Sequence, residues 1–191
     1  VPLVFPNWFL SAATVKPLNR VWYRAHGRRV HRGLVHPESF FYPLDSCRHW
    51  NRLYGRRGFT QYQAVLPLRS GRSGYHRVFD IVEEIGAAPF LCALKDFRAE
   101  GKGMMSFPKQ GLSIVFDMPI CDRTQAAVDA LNAFIATEGG RVYLAKDALT
   151  RPEHFRAMEP RLDEWLRVRR KWDPTRALKS ALSVRLFGDP S

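Results

Sequence analysis

GFTQYQAVLP, residues 58–67, decides the fold. Phe59, Tyr62 and Val65 are residues that a pleated, half-buried surface favours, so the stretch reads as a strand. Gln61 and Gln63 stand two apart, which in a strand means one face. A face turned to water more often carries Lys, Glu or Thr, and a core face carries Val or Leu. Two neutral amides side by side suit a face that hydrogen-bonds something uncharged, such as a sugar or a cofactor ring.

Working outward, SGYHRVFDIVEEIGAA (73–88) has Val78, Ile81, Val82 and Ile85 on one helical stripe, with Gly86 placed to close the helix. PFLCALKDFR (89–98) and GLSIVFDMPI (111–120) read as a second and a third strand around a Gly/Lys/Met/Pro loop. Asp122, with Gln125 three residues on, has the pattern of an N-cap and capping box. The helix after it buries Val128, Leu131 and Ile135 and ends at Gly139-Gly140, before a fourth strand, RVYLAKD (141–147). The order is β-α-β-β-α-β, which predicts an α+β chain with a ferredoxin-like antiparallel sheet. Helices should cover one sheet face and leave the other free. Two short helices are expected in the tail, over RPEHFRAM (151–158) and PRLDEWLRVRRKWDP (160–174), with Pro160 in the first turn of the second. Residues 1–57, broken by prolines 2, 6, 17, 37 and 43, read as an irregular basic and aromatic segment, a candidate lid. Residues 58–191 form the folded domain.

Composition bounds the function. With 191 residues and 46% hydrophobic content the chain can bury a real core. No apolar run is long enough to span a bilayer. VPLVFPNWFL does not read as a signal peptide, and without an initiator Met the chain looks like a piece of something longer. Cys47, Cys92 and Cys121 are odd in number and widely spaced, which predicts reduced, buried or incidental thiols rather than a metal site. The expected location is cytoplasmic, or peripheral to the inner face of a membrane. Net charge is +12, and residues 1–58 hold ten Lys/Arg against Glu38 and Asp45. Such basicity favours nucleic acid, an anionic membrane surface or phosphorylated ligands, set against the plain reading of a solvated basic surface.

The free face of the sheet would gather Gln61, Gln63, Lys95, Ser113, Tyr143 and Lys146 from four strands. Each has an ordinary explanation alone, and Lys146 would then be an exposed lysine paired with Asp147. Together they suit a polar site, where Lys146 could set a positive charge against a developing anion. No GxSxG, P-loop or GxGxxG is present, so reactive chemistry would have to come from a cofactor.

GFTQYQAVLP, FLCALKDF, SFPKQGLSIVFDMPI, GGRVYLAKD and EPRLDEWLRVRRKWDP, with FFYPLD and WNRLYG earlier, resemble the C-terminal half of FAD-linked oxidases of the vanillyl-alcohol-oxidase superfamily. The likeness is nearest to the branch acting on a lipid-linked phosphopentose, a cell-wall arabinan precursor. The sugar-lactone and alditol oxidases are more distant and give the alternative function. The resemblance implies an FAD-dependent oxidoreductase acting on CH–OH, with hydride passing from a sugar carbon to flavin. FAD would be held mainly by an N-terminal domain absent from these residues, and a reductase or epimerase would be a further partner. It implies that Lys146 and Tyr143 are catalytic, that Gln61, Gln63, Lys95 and Ser113 bind substrate, and that Lys146 and Gln63 contact the cofactor. Ser113, Val115 and Phe41 depart from the family's Asn, Cys and Tyr. The resemblance also places the basic first segment over the pocket entrance, where Arg28, Arg29 and Arg32 would meet phosphate or anionic headgroups. Two readings from other classes are a nucleic-acid-binding ferredoxin-like module, which needs aromatics on the central strands, and a non-catalytic scaffold.

Overall fold

The computed structural model describes residues 1–26, 32–42, 45, 47–84, 86, 89 and 91–190. Ile85, Phe90, Arg28 and Arg29 lie outside them. Four strands form one antiparallel sheet in the order β2-β3-β1-β4: β1 Phe59–Pro67, β2 Cys92–Phe97, β3 Gly111–Pro119 and β4 Arg141–Val142. Between them run α3 Gly71–Glu84 and α4 Thr124–Thr137, so the central elements follow the expected β-α-β-β-α-β order. Before the sheet come α1 Ala12–His26 and α2 Pro37–Phe41; after it come α5 Pro152–Met158, α6 Leu162–Trp172 and α7 Ala181–Phe187.

Side-chain alternation divides the sheet. Tyr62, Ala64 and Leu66 of β1 and Ile114, Phe116 and Met118 of β3 point into one core, with Val78, Ile81 and Val82 of α3 and Val128, Leu131 and Ile135 of α4. The odd-numbered residues of β1 and β3, including Gln61, Gln63 and Ser113, therefore share the opposite face. α4 ends where Gly139, at φ 70°, turns left-handed, and Gly140 N–H returns to the Ile135 carbonyl at 2.8 Å. A Cβ on Gly140 would lie 2.4 Å from the Val65 carbonyl, so the chain can pass this close to β1 only as glycine.

Several expectations are corrected. The first segment is not irregular throughout, since α1 is a 15-residue helix containing Pro17. A small cluster of Leu10, Val15 and Tyr54, with Trp50 and Phe59 against it, ties the segment to the end of β1. The fourth strand is only two residues long, and Leu144–Lys146 is a 3₁₀ turn. Asp122 does not cap α4: it is exposed and paired with Arg57, while the Thr124 hydroxyl accepts the Cys121 N–H at 2.8 Å. Gln125 donates forward, to Asp129 and the Leu149 carbonyl, and so closes no capping box. Pro160 precedes its helix rather than opening it, and α7 is a third tail helix, capped by Ser180 and Ser183 in a reciprocal box. The three cysteines are all exposed, so none is a core residue. Among the described residues no helix is long and apolar enough to cross a membrane.

Candidate functional site

The site face is built in cross-strand rows. In one, Lys95 of β2 lies opposite Ser113 of β3, which lies opposite Val65 of β1, itself opposite Arg141 of β4. In the next, Ala93, Val115 and Gln63 align, and the Gln63 carbonyl accepts the Tyr143 N–H at 2.8 Å. Gln63 Nε2 reaches diagonally to donate to Ser113 Oγ at 2.9 Å. Alternation on three strands thus brings Gln63, Ser113, Lys95 and Tyr143 to one patch. Lys146 is placed beside it by the turn, through its N–H to the Tyr143 carbonyl at 3.0 Å.

Gln61 is drawn away from this patch. Its amide donates to Asp117 Oδ1 at 2.8 Å, and the Tyr54 hydroxyl donates to Asp117 Oδ2 at 3.1 Å. Burial and the Asp117 carboxylate push the Tyr54 phenol well above its ordinary range. Asp117, 1% exposed, is a buried acid on the site face that the sequence reading missed. Its signal was position: it follows Ser113 and Val115 by the same period of two.

The face is less open than expected. Gln63 is 4% exposed and Ser113 fully buried, whereas Lys95 is exposed and Gln61, Tyr143 and Lys146 are half-buried. The 98–110 loop covers one end. Phe107 stacks on Tyr143 with ring centroids 4.6 Å apart, and its edge meets Phe97. Two arginines hold that loop. Arg141 donates to Glu100 and to the Ser106 carbonyl, both at 2.7 Å. Arg161 donates to the Gly103 carbonyl at 3.1 Å and to Ser106, and its Nε donates to buried Glu159 at 2.8 Å. Burial raises the Glu100 carboxyl, but the bond and charge of Arg141, with Arg161, outweigh it and leave it below its ordinary range.

Lys146 does not pair with Asp147, contrary to the ordinary reading. Asp147 accepts the Leu149 and Thr150 N–H groups and binds Arg185 of α7 at 2.9 Å. Beneath the turn a buried chain runs from the Tyr62 hydroxyl to Asn132 at 2.9 Å and from the Asn132 amide to Thr150 at 3.0 Å. Burial first, and then Asp147, push the Tyr62 phenol far up, so it stays a neutral donor. The turn is therefore rigid, and it presents a lysine that has no carboxylate partner among the described residues. Lys95 has none either.

This donor set suits a ligand that carries both negative charge and neutral oxygens. Two unpaired ammonium groups complement negative charge, while amide, hydroxyl and phenol groups bond neutral oxygens. β1 and β3 present Gln61, Gln63, Val65, Ser113, Val115 and Asp117 here, while Phe59 and Tyr143, aromatics of the same face, are already stacked on Tyr54 and Phe107. Among the described residues no group of His, Cys, Asp or Glu is arranged to hold a metal. A cleft of about 620 Å³ lies elsewhere, among Trp165, Val168, Trp172, Leu178 and Phe187. Its charged residues Arg169, Asp173 and Lys179 are engaged by Asp189, by backbone N–H groups and by the Pro190 carbonyl, so it offers packing surface rather than chemistry.

No protein-family model matches the chain. It is 36% identical over 112 residues, 58% of its length, to an uncharacterized protein in the mprA 5′ region of Streptomyces coelicolor, covering 30% of that protein. It is 37% identical over 187 residues to decaprenylphosphoryl-beta-D-ribose oxidase of Mycolicibacterium smegmatis. The chain spans 40% of that relative's length and about a third or less of the other's. The resemblance read from the strand motifs therefore holds through 97% of the chain, which is similar to a segment of a decaprenylphosphoryl-beta-D-ribose oxidase.

Proposed function

We propose that residues 58–191 are the substrate-binding domain of an FAD-dependent oxidoreductase that oxidises a CH–OH group of a lipid-linked phosphopentose. FAD would be held mainly by a domain outside these residues. The observation that carries the reading is the single polar patch of Gln63, Ser113, Lys95, Tyr143 and Lys146, in a chain similar nearly throughout to an oxidase of such a lipid. Bound flavin would supply the two-electron acceptor for hydride.

The chain's own residues have separable roles in this proposal. Lys146 holds its positive charge beside the hydroxyl oxygen that becomes the carbonyl. Tyr143, fixed by Phe107, orients that hydroxyl through its phenol. Ser113 lends its hydroxyl as acceptor to Gln63 and so locks that amide's rotamer, leaving the amide oxygen for a sugar hydroxyl or the cofactor ring. Lys95, exposed at the β2 edge, meets substrate phosphate. Gln61, engaged by Asp117, sets the far wall. Phe107 and the loop exclude water from the patch.

The test is the visible spectrum of the product of the whole reading frame. Flavin bands bleached under anaerobic conditions by a prenylphosphoryl ribose are expected. A product with no flavin bands even after FAD is added would overturn the reading. Bleaching by a free aldonolactone or alditol, and not by the lipid-linked sugar, would replace it with the sugar-lactone or alditol oxidase reading.

A further inference from the structure

We propose that α1 is an interfacial docking helix that seats its apolar stripe on an anionic lipid bilayer. The helix is amphipathic in an unusual setting. Leu18, Val21, Trp22 and Ala25 follow the i, i+3, i+4, i+7 spacing of one face, and Lys16, Arg20 and Arg24 line another. It contains no acidic residue. Among the described residues, only its first turns are held: Val15 is buried against Leu10 and Tyr54, and Lys16 pairs with Glu83 of α3. From residue 16 to residue 26 every side chain is exposed, with Leu18 at 51%, Val21 at 65% and Trp22 at 65%. A 15-residue helix with Pro17 in it is marginal in water without a surface to pack on. Something therefore covers the stripe.

Charge selects the occupant. Arg20 and Arg24 have no carboxylate partner among the described residues, and residues 1–58 hold ten Lys/Arg against two acids. Trp22, at one border of the stripe, is a side chain that favours a membrane–water boundary. A basic face beside a Trp- and Leu-bearing face is the composition of helices that lie in the plane of a bilayer. The expected contact with headgroups moves accordingly. It was placed on Arg28, Arg29 and Arg32, of which the first two lie outside the described residues; α1 supplies Arg20 and Arg24 one and two turns earlier.

The inference does not depend on the redox reading, because it is read without turnover. Product of the whole reading frame is sedimented with phosphatidylcholine vesicles containing about one-third phosphatidylglycerol, and with phosphatidylcholine alone. Binding to the anionic vesicles only, weakened by salt, is expected. Arg20→Glu with Arg24→Glu should weaken it by about tenfold or more, as should Val21→Asp. All these positions are exposed, so unchanged circular dichroism and melting temperature confirm that the variants fold. No anionic-vesicle binding, equal binding to neutral vesicles, or binding that these variants leave unchanged would overturn the proposal. So would self-association in light scattering that Val21→Asp abolishes, since the stripe would then join two copies.

Discussion

Replacing Lys146 by alanine should leave the fold intact, because its ammonium meets no carboxylate among the described residues. In the product of the whole reading frame it should lower kcat/KM by about 10²–10³-fold if its charge meets a developing anion. Steady-state kinetics beside a thermal melt checks both halves. Asp147→Ala should do the opposite first: it removes the partner of Arg185 and the acceptor of two turn N–H groups. A loss of about 2 kcal/mol in a denaturant melt is expected. Activity should fall only as far as the displaced turn carries Lys146 with it. These neighbours show what one residue's sequence context can reveal. The shared face of Gln63 and Ser113 was legible because a strand has a period of two, whatever lies around it. The separation of Lys146 from Asp147 was not. It depends on Arg185, 38 positions on, and on the buried Tyr62–Asn132–Thr150 chain, and no local spacing encodes either. Gln61 was placed on the right face, but its capture by Asp117 depends on register between β1 and β3.

The loop of residues 98–110 behaves as an element although it has no regular structure. Arg141 and Arg161 grip it at Glu100, Gly103 and Ser106, and the stack of Phe107 on Tyr143 depends on that grip. Arg161→Met should therefore raise hydrogen exchange in this loop by about tenfold while leaving β1 and β3 protected, read by mass spectrometry. The same loop should respond to pH. The Glu100 carboxyl is held below its ordinary 4.5, so its contribution is present above that value and is lost as pH falls through the lower, folded value. Loop protection should be equal at pH 7 and 5 and fall on acidification below 4.5. In Glu100→Gln the drop should be absent. Helices were unevenly legible. α3 and α4 declared themselves by apolar stripes, because packing on the sheet demands them. α1 did not: Pro17 reads as a break, and its stripe has no core to face. The Asp122 pattern misled for a related reason, since Arg57 is in reach of that carboxylate and Thr124 is a better-placed hydroxyl for the turn.

At the scale of the whole molecule, the distribution of burial predicts which face a partner domain would meet under the proposed function. Gln63 and Ser113 are satisfied by each other, while Lys95, Lys146 and the phenol edge of Tyr143 stand beside them with few partners. A flavin held by a separate domain would need this face only to close one side of its ring, since Gly-rich phosphate-binding turns are missing here. Alone, the 191-residue chain should bind FAD at least about 100-fold more weakly than the product of the whole reading frame, because the dinucleotide half of the cofactor would gain no contacts. Fluorescence quenching of added FAD measures both affinities. Equal affinity for the two proteins would mean that the sheet face, with its two lysines, holds the cofactor unaided, and the division of labour proposed between this domain and another would be wrong. Weak binding by the short chain that Lys146→Ala weakens further would support the placement of Lys146 at the ring. An unchanged residual affinity would move that lysine's role from the cofactor to the substrate, where the kinetic effect of the same substitution should then appear mainly in KM.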